Sequence, residues 1–209
     1  MEDVVMDNEN MIRLAWTIDE NTNHKVPAMT TDTFSNGPGV RAVVWTQGCI
    51  HNCKGCHNPE THDPLGGTYV SIDDIVTTIK SNKLLTGVTF SGGDPFMQAG
   101  KMARLAERLK AEGYDIMVYT GYTYERLIKE QNEDNHFLDL LKACDTLVDG
   151  PFVEELKDTR LLFRGSSNQR ILDPKMSLEL GMPIAKDLNE HVTDKFQNKY
   201  VNNEFSFAS

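Results

Sequence analysis

At 209 residues the chain has the length of one domain and can build a core without disulfide staples. Its apolar (39%) and charged (25%) fractions are those of an ordinary globular protein, and a net charge of -10 lacks the basic footprint of non-specific nucleic-acid binding. No apolar run reaches the roughly 18 residues of a membrane span, and the N-terminus has neither the basic nor the apolar region of a secretory signal. The expectation is a cytoplasmic protein with no nucleic-acid or membrane partner.

In chain order, Met11–Ile18 reads as an additional N-terminal strand. Val40–Thr46 (VRAVVWT) is a β-branched run leading into Cys49-Ile-His-Asn-Cys53-Lys-Gly-Cys56. Ser71 is placed to cap a helix, with Asp74 at the capping-box position. Gly87–Phe90 is a short strand ended by Ser91-Gly92-Gly93-Asp94-Pro95. Met102, Leu105, Ala106 and Leu109 recur at helical spacing up to a stop at Gly113. Asp115–Tyr119 is a strand ending at Thr120-Gly121-Tyr122. Helical stretches follow at Tyr124–Lys129 and Phe137–Ala143, then a strand at Thr146–Val148 ending at Asp149-Gly150-Pro151.

Strand–helix alternation predicts an α/β fold with a mostly parallel sheet covered by helices. In such folds ligands bind at the carboxyl ends of the strands. The cysteine loop and the loops at Ser91–Pro95, Thr120–Tyr122 and Asp149–Pro151 each follow a predicted strand, so they are expected on one rim. A closed eight-fold barrel takes about 250 residues. The alternating region, roughly 40–180 within a core of about 36–180, is too short for one, and an open partial barrel of five or six parallel strands is expected. The whole chain, 1–209, reads as a single domain with a polar tail at 181–209.

Three of the four cysteines lie within eight residues, in a C-x3-C-x2-C run. Three thiolates can hold three irons of a 4Fe–4S cluster and leave the fourth open, whereas electron carriers close the shell with four cysteines. Against this stands a structural zinc site of Cys49, Cys53, Cys56 and one of His51, His57 or His62; it lacks the usual second knuckle. Cys144 reads as a buried thiol, and His24, His136 and His191 as surface residues. Gly92 and Gly93 admit close approach to the backbone, and Asp94 is an acceptor for an ammonium group. Taken alone, Gly-Gly-Asp-Pro is also an ordinary turn.

These motifs together resemble the radical S-adenosylmethionine (radical SAM) superfamily. Asn36-Gly-Pro-Gly-Val-Arg41, Thr46-Gln-Gly-Cys49 and His57-Asn-Pro-Glu-Thr61 are similar to its glycyl-radical activating enzymes. Asp149-Gly-Pro-Phe152 and Phe163–Arg170 resemble the activators of anaerobic ribonucleoside-triphosphate reductase, the match spanning about residues 11–173. Two departures stand out: Gly55 replaces the aromatic residue often found before the third cysteine, and Asp94 replaces the commoner Glu. Met1–Asn10 and Asn21–Met29 look like additions.

The resemblance implies Cys49, Cys53 and Cys56 as cluster ligands. It implies S-adenosylmethionine chelated to the open iron, with Gly92, Gly93 and Asp94 at its amine. Gly55, Cys56 and His57 lie near the cofactor, His57 being the candidate to cover the adenine. Thr120 and Asp149 end neighbouring strands and are candidates at the ribose or a cation, with ordinary strand-end caps as the equal alternative. One-electron cleavage to methionine and a 5′-deoxyadenosyl radical would then create a glycyl radical on the large subunit of the reductase, with an electron donor such as flavodoxin. Arg164–Arg170 suits anion or peptide contact. The alternatives are an activase of another glycyl-radical enzyme, such as pyruvate formate-lyase, and a non-catalytic iron–sulfur or zinc module.

Overall fold

The computed structural model describes residues 9–20 and 22–188. The first eight residues of the N-terminal addition, His191 and the tail from 189 onward lie outside the described residues.

Ten strands and five α-helices follow one another: β1 Met11–Leu14, β2 Trp16–Ile18, β3 Lys25–Pro27, β4 Met29–Thr33, β5 Arg41–Thr46, β6 Thr68–Ser71, α1 Ile72–Ser81, β7 Gly87–Gly92, α2 Ala99–Ala111, β8 Asp115–Tyr119, α3 Tyr124–Glu130, α4 Phe137–Ala143, β9 Thr146–Asp149, β10 Arg170–Leu172 and α5 Pro174–Leu180. The main sheet runs β10-β9-β8-β7-β5-β1-β6, with β4 also paired to β5. At its centre β5, β7, β8 and β9 are parallel, in registers such as Arg41↔Gly87↔Asp115 and Met117↔Thr146.

The parallel part is therefore four strands, not the five or six expected. Strands β1, β4 and β10 add antiparallel to it, and β6 antiparallel to β1. The predicted strand over Met11–Ile18 is two. Ala15 breaks it by bonding to Trp45 and Ala28, so β2 leaves the main sheet to form a hairpin with β3. Part of the Asn21–Met29 addition thereby becomes the second arm of that hairpin.

Period-two alternation sorts the central strands. Ala42, Val44, Val88, Phe90, Ile116, Val118 and Leu147 face helices α1 to α4 and pack on Ile75, Ile79, Met102, Leu105, Leu109, Leu127 and Leu140. Arg41, Val43, Thr89, Met117 and Val148 alternate with them and are buried as well. Burial on both faces is the normal condition of a parallel sheet. Over the second face, Asn36 accepts a hydrogen bond from the Thr89 hydroxyl (2.7 Å), and Phe163 accepts one from the Tyr119 hydroxyl (2.9 Å).

Arg41 secures the end of the sheet opposite the cysteine loop. Its guanidinium, 1% exposed, bonds Thr89 Oγ1, Asp115 Oδ1 and the carbonyls of Val88 and Asp115, all between 2.8 and 3.0 Å. A buried cation persists only when its donors are satisfied, and here it ties the starts of β5, β7 and β8 together. Helix caps follow the local sequence. Ser71 accepts from the Asp74 amide at the start of α1, and Asp173 accepts from the Met176 amide at the start of α5.

Candidate iron–sulfur and cofactor site

The loops after β5, β7, β8 and β9 meet around one open cavity. Cys49, Cys53, Cys56, His51 and His57 line one side. Ser91, Gly92, Gly93, Asp94, Thr120, Gly121 and Gly150 line the other, with Phe152 and Gln169 closing the end. The convergence expected from one-dimensional order is thus present in space. Gly55 and Asp149 are not in the lining.

The cysteine loop folds around two residues in the left-handed region, Asn52 (φ 45°) and Gly55 (φ 72°). A side chain at 55 would be strained by this φ and would meet the Glu154 carboxylate at 2.9 Å, which accounts for glycine where an aromatic residue is commoner. Lys54 pairs with Glu154 across the same turn (2.9 Å). The backbone amides of His51 and Asn52 favour the Cys49 thiolate, that of Phe152 favours the Cys53 thiolate, and the Asn58 amide donates to Cys56 Sγ at 3.4 Å.

Burial pushes the thiols of Cys49 and Cys53 above their ordinary value, and the Asp94 charge raises both further. Cations bound by these sulfurs would offset both effects and release the protons. A tetrahedral zinc draws its ligands onto one point, whereas a cluster distributes its thiolates over separate irons. Together with the amide donors, this donor set fits a cluster. His62 Nε2, on a residue of the cavity wall, is buried without a partner, a group that a bound molecule can satisfy. Cys144 is elsewhere, packed in the core, with burial raising its thiol to about 12; it stays protonated and takes no part.

The opposite wall departs from its simplest reading. A Cβ on Gly93 would lie 2.3 Å from the Gly48 carbonyl oxygen, and one on Gly92 (φ 98°) 2.6 Å from that of Thr46. The two glycines are thus required by close packing of the β7 loop on the strand leading to the cysteines. Two backbone bonds hold the seam: Gly93 N–H donates to the Thr46 carbonyl and Asp94 N–H to that of Gly48, each at 2.8 Å. Asp94, 1% exposed, accepts from the amides of Phe96 (2.9 Å) and Gly121 (3.0 Å), from the Thr120 hydroxyl (2.9 Å) and from His51 Nε2 (2.7 Å).

Thr120 therefore spends its hydroxyl on Asp94. Asp149, fully buried, accepts from the Tyr124 amide (2.7 Å) and from Arg170 Nε (2.9 Å). Arg170 in turn holds Glu125 through two bonds of 2.9 and 2.8 Å. Its hydrogen bonds lower Glu125 to about 2, and its own pKa is raised by its bonds to Asp149 and then Glu125. Arg170, expected to contact an anion or peptide, is thus committed inside the fold, where it fixes β10 against β9. His57 packs its ring on Phe152 at 5.2 Å, so a stacking surface exists despite Gly55.

His51, Phe152 and Gln169 carry more of the site than sequence reasoning assigned to them. His51 entered only as a zinc option and Phe152 only as a motif letter. Gln169 accepts from the amides of Gly165 (2.8 Å) and Ser166 (3.2 Å) and donates to the Gly150 carbonyl (3.1 Å), shaping the end wall. Its position within the Phe163–Arg170 motif was the available signal. Among the described residues no helix is long and apolar enough to cross a membrane.

Residues 35–172 match the family of 4Fe-4S single cluster domains. The chain is 38% identical over 142 residues to the anaerobic ribonucleoside-triphosphate reductase-activating protein of Escherichia coli (strain K12), covering 64% of this chain and 88% of that protein. The protein of the same name from Vibrio cholerae is 39% identical over 144 residues (65% and 89%). That of Enterobacteria phage T4 is 33% identical over 144 residues (66% and 86%). With its clustered thiols and converging loops, this chain belongs to the family of anaerobic ribonucleoside-triphosphate reductase-activating proteins, built on a 4Fe-4S single cluster domain.

Proposed function

We propose that this protein activates an anaerobic ribonucleoside-triphosphate reductase by generating a glycyl radical on its large subunit, using S-adenosylmethionine at a 4Fe–4S cluster. The observation that carries the proposal is the single cavity with three cysteines on one side and the Gly92–Asp94 loop on the other. The four parallel strands and their helices serve as a partial, open barrel whose mouth admits a segment of the partner.

In this reading Cys49, Cys53 and Cys56 would hold the cluster, leaving one iron open for S-adenosylmethionine. The chemistry supplied by the bound cofactors is one-electron cleavage to methionine and a 5′-deoxyadenosyl radical, which removes a hydrogen from the Cα of a glycine. The rest falls to the protein. Gly55 gives the turn that presents Cys53 and Cys56. Gly92 and Gly93 would bring backbone up to the iron-bound amine, and the negative charge of Asp94 would favour the partly positive N–H edge of that amine. His57 with Phe152 offers a stacking surface for the adenine. Thr120 and Asp149 act one layer behind, Thr120 by holding Asp94 and Asp149 by fixing the loop that carries Gly150. A small reductant such as flavodoxin would supply the electron.

The test is anaerobic. Reconstituted protein, S-adenosylmethionine, a reductant and the reductase are mixed, and the glycyl-radical EPR doublet and 5′-deoxyadenosine are measured. The proposal expects both. Absence of both with a full complement of iron refutes it, and a doublet obtained only with pyruvate formate-lyase as partner would reassign the target.

A further inference from the structure

The Asp94 carboxylate offers about four acceptor positions: the Phe96 amide reaches Oδ1, His51 Nε2 and the Gly121 amide reach Oδ2, and the Thr120 hydroxyl lies within 3.1 Å of both, so four protein donors crowd the two oxygens. Three of these donors, the Phe96 and Gly121 amides and the Thr120 hydroxyl, belong to the loops after β7 and β8. The fourth, His51 Nε2, is the only one from the cysteine loop. The contact is 2.7 Å long, with side chains 7% and 1% exposed. A hydrogen bond to a carboxylate in so dry a setting is among the stronger ones a protein makes.

The imidazole is also confined by shape. It meets the Tyr122 ring edge-on, with centroids 4.6 Å apart at 85°. A Cβ on Gly121 would lie 2.4 Å from His51 Cδ2. Glycine at 121, whose φ is not in the left-handed region, is therefore set by the ring beside it. His51 stands two residues after Cys49 and bonds Asp94, so one residue links the first cysteine to the amine-binding loop.

We propose that His51 is a positioning residue which, through Asp94, holds the cysteine loop at a fixed distance from the Gly92–Gly93 backbone. The proposal rests on the S-adenosylmethionine reading above. Because Asp94 is already filled, it acts on the amine through its charge and through the loops it fastens. The amine itself meets backbone. His51 belongs to the cofactor site without being one of its ligands.

The test compares anaerobically reconstituted His51→Ala, His51→Gln and Gly121→Ala with the unmodified protein. Two quantities are measured: the rate of iron loss to a chelator, and S-adenosylmethionine affinity from the EPR change of the reduced cluster. His51→Ala is expected to lose iron faster and to bind S-adenosylmethionine about tenfold more weakly, the scale of one charge-assisted bond. His51→Gln, whose amide also reaches Asp94, restores most of both. Gly121→Ala, which displaces the ring without altering its chemistry, reproduces the loss.

Unchanged S-adenosylmethionine affinity in His51→Ala overturns the proposal whatever happens to the iron, as does His51→Gln behaving like His51→Ala. If the unmodified protein shows no response to S-adenosylmethionine, the cofactor reading fails instead. The chelator rates of the three variants then still decide whether His51 fastens the loop.

Discussion

Replacing Gly93 by alanine separates two reasons for a glycine at this position. If the residue only lets a ligand approach, the metal-free protein should tolerate a methyl group. The structure instead puts that methyl 2.3 Å from the Gly48 oxygen and 2.8 Å from its carbonyl carbon, both backbone atoms. Relief needs a shift of about 1 Å between the β7 loop and the start of the cysteine loop, costing roughly 1–3 kcal/mol as overpacking. The same shift strains the Gly93–Thr46 and Asp94–Gly48 hydrogen bonds, worth about 1 kcal/mol each. Reduced unfolded-state entropy returns about 0.4–1 kcal/mol, leaving a net loss of about 2–4 kcal/mol. Urea unfolding of the metal-free protein is the assay, because a bound cluster complicates two-state treatment. With a slope of about 2 kcal/mol per molar, the midpoint should fall by about 1–2 M. A midpoint within about 0.2 M of the unmodified protein would refute the packing argument.

Other outcomes follow from the same geometry. Arg41→Met should cost about 3 kcal/mol in urea unfolding, since it leaves Asp115 and several carbonyls without their donor, while iron content per folded chain stays unchanged. Cys144→Ala should retain full iron after reconstitution, whereas alanine at Cys49, Cys53 or Cys56 should not; iron and sulfide analysis decides. Glu125, lowered from 4.5 to about 2 by Arg170, contributes stability that is fully present above pH 4.5 and disappears as pH falls toward about 2. Glu125 is 54% exposed, so after solvent screening about 1 kcal/mol is expected. Acid unfolding of Glu125→Gln should show a shallower loss over that window, and an identical acid profile would contradict the pairing.

Much of this was legible in the chain because parallel strands announce themselves locally. β-branched runs at β5, β7, β8 and β9 end in glycine- or proline-rich turns, and strand-end loops in such folds share a rim. The cysteine spacing and the Gly92–Pro95 turn are likewise local signals. What stayed hidden depends on partners distant in sequence. The break at Ala15 follows from hydrogen bonds to Trp45 and Ala28, which no periodicity within Met11–Ile18 reveals. Arg170 reads as an available cation until Asp149, 21 residues away, and Glu125 are seen holding it. Gly121 has no marked backbone angle to betray it, and only the His51 ring beside it explains the missing side chain. Asp94 lines the cavity at the strand ends, but the crowding of its carboxylate is a property of three converging loops.

The central claim is that three cysteines hold a four-iron cluster whose remaining iron binds S-adenosylmethionine. Mössbauer spectroscopy of protein reconstituted with 57Fe, with and without S-adenosylmethionine, tests it most directly. One iron in four is expected to change its isomer shift on addition, the other three staying as they were. Four irons that all remain unchanged at saturating S-adenosylmethionine would contradict it.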